Sequence, residues 1–369
     1  MLVDRAELRD FRNYASAELT LSPSLTVVSG PNGAGKTNLL EAVYFGCTGR
    51  SPRTTNEREL VRRGAALTRV TLDTSGADGG HRVEVGFRPG DAKRTRVDGR
   101  AVDSLTSTEE RPLVAVFLPE RLELVKGAPA GRRAHLDRLV GALWPARVET
   151  RLAYSRALAQ RNALLVRIRA GAAGPAGLDA WDAELARLGI GLMADRAEAV
   201  DGLRGPFALH AHALGLSGQA EMRYRPRSDA DSADALAAEL GRRREADLAR
   251  GFTAHGPHRD EMHLELERIP LRAYGSQGQQ RIALLALLFA ECDLLVRLRG
   301  REPLMLLDDV MSELDAARRD LLAALLRERG QALVTSTDPD QVPGAAGGDD
   351  LLVEVADGAV LPAAAGGPA

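Results

Sequence analysis

Apolar and polar residues follow two patterns near the ends of this chain, and both predict strands. Short runs of apolar and β-branched residues, typical of buried strands, occur at residues 25–29, 113–118, 262–266, 304–307, 332–335 and 351–355. Residues 69–74 and 81–87 instead alternate in polarity around a Gly-rich turn, which predicts a β-hairpin. Most of the sheet-forming material therefore lies in the first and last thirds of the chain.

The middle of the chain has a different pattern from both ends. There Ala, Leu, Arg and Glu recur at helical spacing, with breaks predicted at 171–177 and 202–206. The simplest architecture is one α/β domain built from residues 1–125 and 251–369. A helical domain at 126–250 is expected to interrupt it.

Composition narrows the class of protein without identifying it. The chain has 369 residues, 44% of them hydrophobic and 27% charged, which is ordinary for a globular protein of two or three domains. The apolar run at 282–290 is shorter than the ~20 residues that cross a bilayer, and the N-terminus lacks the apolar segment of a signal peptide. From these two features we expect no membrane partner. Because Cys47 and Cys292 cannot form a disulfide framework, we also expect a reducing cytoplasm.

A glycine-rich stretch follows the first predicted buried strand and opens a predicted helix. Its sequence, GPNGAGKT, fits the pattern G-x-x-x-x-G-K-[ST], in which backbone N–H groups and a helix N-terminus hold nucleotide phosphates. Lys36 is expected to reach the β- and γ-phosphates of ATP, and Thr37 to ligate Mg²⁺. A chance match is improbable in a chain with so few lysines. The predicted nucleotide-binding residues are Gly30, Pro31, Asn32, Gly33, Ala34, Gly35, Lys36, Thr37 and Asn38.

Two carboxylates, Asp308 and Asp309, come directly after the apolar run at 304–307. Acids at the carboxyl end of a buried parallel strand stand at the sheet edge where ligands bind. We predict that Asp308 holds Mg²⁺, directly or through water, and that Asp309 polarises the attacking water as general base. The alternative is an ordinary strand that ends in a polar turn.

A second candidate anion site precedes the apolar helix predicted from residue 282. A Ser-x-Gly-Gln turn ahead of a helix can bind an anion at the helix N-terminus. One chain does not need two such sites for one nucleotide, whereas two facing chains would each supply one of them. The residues predicted to act in trans across a dimer are Ser276, Gln277, Gly278 and Gln279. Asp315 joins them only because SELD at 312–315 resembles the D-loop of ABC-type ATPases, which touches the partner across the dimer. A polar flexible loop is the alternative.

The order of these motifs resembles that of ABC-type ATPases, which include transporter subunits and SMC-like DNA-maintenance proteins. Roughly 270 residues separate Lys36 from Asp308, too many for a compact transporter subunit. The helical insertion of about 120 residues, folded out and back, would reach at most ~90 Å, too short for SMC arms. A compact ATPase with a helical lid is favoured, and a transporter ATPase subunit is the alternative.

The chain resembles the RecF family of bacterial recombinational-repair and replication proteins over most of its length. The stretches that carry the resemblance are LRDFRNY at 8–14, residues 30–41, GRS at 49–51, ELVKG at 123–127 with Arg132 and Arg133, GPHRD at 256–260, residues 274–281 and LLDDVMSELD at 306–315. The resemblance implies an ABC-type P-loop ATPase head, a mixed α/β sheet assembled from both termini, with an inserted helical lid. It also implies an ATP-dependent homodimer on double-stranded or gapped DNA, and cooperation with RecR and RecO in loading RecA.

The resemblance also locates site residues and shows three departures. Arg12 and Asn13 fall where SMC-like proteins contact the nucleotide, although a solvated turn is the alternative. Residues 38–130 contain no Gln to serve in a Q-loop, Thr337 stands at the switch-histidine position, and Asp309 replaces the usual Glu. All three fit slow hydrolysis, so a weak DNA-dependent ATPase acting as a switch is expected. A nucleotide-sensing scaffold without productive hydrolysis stays open.

Arginines crowd the segment that follows the phosphate-loop helix. Arg50, Arg53, Arg62 and Arg63 are candidates for salt-sensitive contacts to DNA phosphates. A solvated loop in an arginine-rich chain is about equally consistent with this pattern. Net charge is −2, so any DNA binding must use such local patches, and 4% aromatic residues supply few base-stacking platforms. Recognition of the duplex backbone is favoured.

Overall fold

The chain divides into two compact units. The structure is a computed structural model that describes residues 1–362 except 78, 104, 106, 107, 109 and 346, and of Pro362 only the backbone; residues 363–369 lie outside the described residues. Unit 1 comprises 1–121, 213–215 and 291–369, and unit 2 comprises 122–212 and 216–290. The first division lies near the predicted boundary at residue 125, whereas the last one follows residue 290 rather than residue 250.

The strands are β1 (Leu2–Phe11), β2 (Tyr14–Thr20), β3 (Leu25–Ser29), β4 (Thr68–Gly76), β5 (Gly79–Phe87), β6 (Arg94–Val97), β7 (Arg100–Ala101), β8 (Val114–Phe117), β9 (Ala220–Arg225), β10 (Glu261–Leu266), β11 (Ile269–Pro270), β12 (Leu304–Leu307), β13 (Ala332–Ser336), β14 (Leu351–Ala356) and β15 (Ala359–Pro362). The α-helices are α1 (Lys36–Thr48), α2 (Glu123–Lys126), α3 (Pro129–Leu143), α4 (Val148–Arg169), α5 (Leu178–Ala213), α6 (Ala233–Arg242), α7 (Arg244–Arg250), α8 (Leu271–Tyr274), α9 (Gln277–Arg299) and α10 (Ala316–Arg327).

A mainly parallel sheet of unit 1 has the strand order β15-β14-β3-β13-β12-β8. β3, β12 and β13 are buried along their whole length, as expected of strands covered on both faces. β13 lies between the other two, with Val334 paired to Val27 on one side and to Leu307 on the other. The carboxyl ends of β3, β13 and β12 therefore meet at one edge of the sheet. Every predicted buried strand except 262–266 belongs to this sheet.

The second sheet of unit 1 is antiparallel, with the order β2-β1-β4-β5-β6-β7. The predicted hairpin is confirmed, since β4 and β5 pair antiparallel from the Thr68–Phe87 pair to the Gly76–Gly79 pair. Alternate residues of this sheet, including Leu72 and Val83, join the core that also contains Phe45 of α1. The opposite face is polar, and we refer to it as the outer face.

Unit 2 is largely helical, as predicted for the middle of the chain. α4 and α5 pack through a core that includes Tyr154, Leu185 and Leu192. The predicted break at 171–177 separates these helices and is confirmed, but the one at 202–206 is wrong. α5 continues through Pro206, because burial of Leu203 and other residues on the same helix face outweighs the low helix propensity of Gly and Pro.

A small three-stranded sheet in unit 2, in the order β11-β10-β9, was not expected. The predicted strand at 262–266 exists as β10, but it pairs antiparallel with β9 rather than with strands of the phosphate-loop sheet. β9 lies inside the stretch that was predicted to be helical throughout. Pairing over six residues with β10 stabilises this strand, a long-range contact that the local pattern did not indicate.

Candidate nucleotide-binding site

The phosphate loop connects β3 to α1 and depends on glycine at both ends. Gly30 has φ +154°, and a Cβ there would lie 2.2 Å from the carbonyl oxygen of Val355. Gly35 caps α1 with φ +117°, and a Cβ there would lie 2.6 Å from Nδ2 of Asn13. Only glycine tolerates both the backbone conformation and the close approach. The loop is therefore held tightly while its backbone N–H groups can face a ligand.

The first hairpin of the chain supports the loop from one side. Asn13 Nδ2 donates to the carbonyl of Ala34 at 3.1 Å, and Asn38 Nδ2 donates to Asn13 Oδ1 at 2.9 Å. The buried Tyr14 hydroxyl donates to the carbonyl of Gly35 at 3.0 Å. Asn13 and Asn38, both predicted nucleotide ligands, thus hold each other and the loop. Tyr14 is a supporting residue that sequence reasoning missed.

Lys36 is the first residue of α1, and its side chain folds back over the loop. Its ammonium donates to the carbonyls of Gly30 at 2.7 Å and Pro31 at 3.0 Å. Burial lowers the pKa of Lys36, while the charges of Asp309 and Asp308 oppose that shift. No described carboxylate forms an ion pair with it. A buried ammonium held only by carbonyls fits a loop that receives phosphate oxygens.

Thr37 and Asp308 meet at the sheet edge, as their predicted shared role requires. Thr37 Oγ1 lies 2.9 Å from both carboxylate oxygens of Asp308. Burial raises the pKa of Asp308, whereas the hydroxyls of Thr335 and Thr37 act in the opposite direction. Hydroxyl and carboxylate oxygens are the hard ligands that Mg²⁺ prefers, so this donor set fits a magnesium-bound nucleotide.

Thr335, at the end of β13, links the two acids. Its hydroxyl donates to Asp308 Oδ1 at 2.7 Å and accepts the backbone N–H of Asp309 at 2.9 Å. It is fully buried. The sequence predicted only that Thr335 lies in a strand. The feature that could have indicated its role is a hydroxyl at the carboxyl end of a strand in the same sheet as the acids.

Asp309 has two features expected of a residue whose side chain binds a ligand. Its backbone has φ 46°, a left-handed conformation that is uncommon outside glycine. Its Oδ1 atom is buried and has no hydrogen-bond partner among the described residues. A buried carboxylate oxygen without a partner is costly unless something else occupies the position.

Arg12, predicted to contact the nucleotide, and Arg53, predicted to contact DNA, both lie against Glu41 of α1 in the structure. Arg12 holds this carboxylate with two hydrogen bonds of 2.8 Å each, and Arg53 lies 3.3 Å from it. Ser51 donates to it at 2.5 Å. Glu41 is fully buried. The only feature of the sequence that indicates a paired carboxylate here is a charged residue within the apolar run of α1.

Residues 276–279 in unit 2, which we call the Ser276 turn, form a reciprocal helix cap at the start of α9. Ser276 Oγ accepts from the backbone N–H of Gln279 at 3.2 Å, and Gln279 Oε1 accepts from that of Ser276 at 2.8 Å. This is a capping box. Ser276 and Gln277 are exposed, and Gly278 is half-buried. Together with the twenty-three-residue helix behind it, the turn presents a pre-formed N-terminus to its surroundings.

The remaining predicted residues of unit 1 are at or near its surface. Asp315 caps α10 by accepting from the backbone N–H of Arg318 at 2.9 Å, and its side chain is exposed. Thr337 follows β13 and is half-buried.

The predicted DNA contacts differ in how they are engaged. Arg62 pairs with Asp10 at 2.7 Å, and Arg53 is held on Glu41. Arg50 and Arg63 are exposed.

Across residues 1–362, apart from the six undescribed positions, no helix is both long enough and apolar enough to span a membrane.

Comparisons with known proteins agree with the geometry. The family described as RecF/RecN/SMC N terminal domain matches residues 2–356. DNA replication and repair protein RecF of Anaeromyxobacter sp. (strain Fw109-5) is 41% identical, with 96% of this chain and 97% of that protein covered. RecF of Streptomyces avermitilis is 38% identical, with 96% and 98% covered.

Solved structures give the same result. A structure of the recombination mediator protein RecF with ATP, described as belonging to the RecFOR pathway, has a TM-score of 0.88 at 28% identity, covering 98% of each chain. An Smc head domain from Pyrococcus furiosus, at 15% identity and a TM-score of 0.58, shares the fold, with 97% and 95% covered.

These matches confirm the ABC-type ATPase head and the resemblance inferred from the motifs, and they give no support to a transporter subunit. The phosphate loop after β3 and the two acids after β12 therefore belong to an ATP-binding head of this class. The chain belongs to the RecF family of DNA replication and repair proteins.

Proposed function

We propose that this chain is a weak, DNA-dependent ATPase that pairs with a second copy on double-stranded or gapped DNA when it binds ATP, and separates after hydrolysis. The observation that carries the proposal is the cluster of Lys36, Thr37, Asp308 and Thr335 at one sheet edge, with a free carboxylate oxygen beside it. From the family we infer the rest of the role: cooperation with RecR and RecO in loading RecA, in the cytoplasm.

Each group of the cluster has a distinct task in this proposal. Lys36 exchanges its two carbonyl partners for phosphate oxygens, and the N–H groups from Gly33 to Thr37 bind the same phosphates. Thr37 and Asp308 would hold Mg²⁺ through the hydroxyl and carboxylate oxygens that lie against each other in the structure. Mg²⁺ bound with the nucleotide supplies positive charge that offsets negative charge developing on the phosphates.

Asp309 is the proposed general base. Its unpartnered Oδ1 accepts a proton from the attacking water, while the bond from its backbone N–H to Thr335 fixes its position. The side chain is one methylene shorter than the glutamate usual in ABC-type ATPases. A longer average distance to the water is consistent with a slow switch rather than a motor.

Dimerisation completes the site in this proposal. The Ser276 turn is exposed, carries the partial positive charge of a long helix, and does not need rearrangement because its cap is already formed. Asp315 is exposed as well. We infer that Ser276, Gln277, Gly278, Gln279 and Asp315 of one copy meet the nucleotide held by the other, and that Thr337 senses the γ-phosphate in its own chain.

We also propose that residues 126–250 act as the helical lid of the ATPase domain formed by 1–125 and 251–369. The functional division then differs from the compact units, because the Ser276 turn belongs functionally to the nucleotide site while it folds with unit 2. Buried free Cys47 and Cys292 are compatible with a reducing compartment.

The dimer is tested by Ser276→Arg, with Ser232→Arg as a matched control. Both serines are exposed and cap helices of unit 2, Ser276 at α9 and Ser232 at α6, so both variants lose a cap of similar worth. Ser276→Arg is expected to bind ATP normally but to stay monomeric by light scattering with ATP, whereas Ser232→Arg dimerises. Equal dimerisation of the two variants would remove the trans role of the Ser276 turn.

Phosphate release from the wild type, measured with no DNA and with duplex, gapped or single-stranded DNA, tests the rest. Stimulation by duplex or gapped DNA is expected. Hydrolysis unaffected by any DNA would contradict the DNA-dependent switch, and the absence of hydrolysis would favour the scaffold alternative.

A further inference from the structure

The outer face of the antiparallel sheet carries a line of arginines that no motif accounts for. Arg9 on β1 stands directly opposite Arg69 on β4, Arg69 opposite Gly86 on β5, and Gly86 opposite Arg94 on β6. The three arginines are exposed. We call these four residues the arginine row. With neighbouring strands ~4.8 Å apart, the row is roughly 14 Å long.

Elsewhere on the same face, arginines are matched with acids. Arg5 lies 2.8 Å from Glu7 and 2.6 Å from Glu18, and Arg82 lies 3.4 Å from Asp73. Arg5 and Glu7 neutralise each other along β1, and the other two pairs do so across neighbouring strands, as opposite charges commonly do in a sheet. The face therefore has a paired end and, at the row, an end with excess positive charge.

The row lacks such partners. Arg69 and Arg94 form no ion pair with a described residue, and Arg9 donates only to the hydroxyl of Ser16, at 2.7 Å. Like charges directly opposite each other in a sheet are destabilising. Because Arg9 and Arg69 form such a pair without an internal counter-charge, an anion from outside the chain is the natural partner.

Gly86 leaves a trough in the row. A Cβ there would find its nearest atoms at 3.9 Å, the carbonyl of Thr68, and at 4.0 Å, that of Arg94, and its φ is not left-handed. Neither packing nor backbone conformation therefore requires glycine, although a strand interior normally disfavours it. Its effect is to keep the floor open between Arg69 and Arg94, which stand two strands apart.

A cavity of about 240 Å³ opens at this trough. Its charged lining consists of Arg69, Glu84, Arg88, Asp91, Arg94 and Arg96. Arg88 lies 3.8 Å from Asp91, an exposed and weak pair. Positive charge is in excess in the lining, with four arginines against two acids.

We propose that the arginine row is the surface on which this chain binds the sugar–phosphate backbone of duplex DNA. Planar guanidinium groups bind phosphate in a bidentate manner, and a row of them across a rigid sheet follows a backbone without reading base sequence. Phe87, which also lines the cavity, is partly buried and packs against the core. The inference rests on the proposed function, in that the chain binds DNA at all.

Two double variants test the surface with equal changes in charge. Arg69→Ala/Arg94→Ala removes two arginines of the row, and Arg5→Ala/Arg82→Ala removes two paired arginines of the same face. Binding of a fluorescently labelled blunt duplex is measured by anisotropy with ATP over a range of salt concentrations. The row variant is expected to lose at least about tenfold in affinity and to lower the slope of log affinity against log salt by roughly 2, while the control changes little.

A second pair of variants addresses the trough itself. Gly86→Glu puts a carboxylate between Arg69 and Arg94, whereas Gly86→Gln fills the same space without charge. Because a Cβ fits at this position, both proteins are expected to melt at or above the wild-type temperature. Gly86→Glu is expected to weaken duplex binding several-fold more than Gly86→Gln.

The outcomes separate the surface from the function. If the wild type binds duplex with ATP but the two double variants weaken equally, the row is wrong and DNA binding stands. The row is also wrong if Gly86→Glu binds as tightly as Gly86→Gln. If the wild type shows no ATP-dependent duplex binding, both the row and the proposed function fall.

Discussion

The two sheets of unit 1 are built to meet negative charge in different ways. The central strands β3, β13 and β12 of the parallel sheet are buried along their whole length, so they act only at their carboxyl edge, through a backbone loop and three side chains at strand ends. The antiparallel sheet exposes a whole face and acts through side chains that stand on it. An edge can hold one small ligand closely, whereas a face can follow a long polymer loosely.

The contrast has consequences for the size of mutational effects. At the edge, groups are buried and coupled, so single substitutions should act strongly. On the face, the arginines are exposed, and Arg69 and Arg94 have a strand between them, so the effects of replacing these two should be smaller, additive and dependent on salt.

The largest effect is expected for Asp309→Asn. Loss of the only proposed general base should lower the hydrolysis rate by about 100-fold or more while ATP affinity stays within a few-fold. Phosphate release under single-turnover conditions, with ATP binding followed in parallel, measures both. Asp338→Asn, an exposed acid after the neighbouring strand, is the control. An unchanged rate in Asp309→Asn would exclude the catalytic role of Asp309.

An intermediate effect is expected for Thr335→Val, which keeps the shape of the side chain and removes its hydrogen bonds. Asp308 then loses a donor and the backbone N–H of Asp309 loses an acceptor. Groups that orient metal ligands typically account for roughly 10- to 100-fold in activity or metal affinity. We expect Thr335→Val to need more Mg²⁺ for hydrolysis, measured by titration of phosphate release. Thr335→Ser is expected to return to the wild-type Mg²⁺ requirement. A Thr335→Ser enzyme as defective as Thr335→Val would point to packing instead.

The smallest effect is expected for Arg50→Ala/Arg53→Ala. Arg53 is held by Glu41 and is not free for DNA, so the salt slope of duplex binding should fall by less than about 1. Anisotropy under the conditions used for the arginine row gives the comparison. A decrease of about 2 with this pair, and none with the row, would transfer DNA binding from the sheet face to the segment after α1.

The sequence predicted the residues at the carboxyl edge of the parallel sheet better than those on the outer face of the antiparallel sheet, and the reason is physical. The phosphate loop and the acids after β12 are local patterns, because glycine conformations and strand ends constrain neighbouring residues in the chain. Thr335 and Glu41 depend on partners 27 and 29 residues away and became visible only with the strand order and the packing of the first hairpin.

The arginine row was beyond reach for a similar reason. Its four members come from four strands, and their alignment depends on pairing register, which a single sequence does not fix. The helix break expected near Pro206 failed in the opposite way: a local preference was real, but burial of α5 outweighed it.

The buried carboxylate of Glu41 has a consequence for natural variation and for engineering. It is held chiefly by Arg12, so a substitution at position 12 leaves a buried charge with only Arg53 and Ser51 to hold it, and one at position 41 leaves Arg12 without its main partner. The two positions are therefore expected to change together or not at all. A fault at Arg12 would first appear as a shortage of folded protein in the cell, before any defect in handling ATP could be observed.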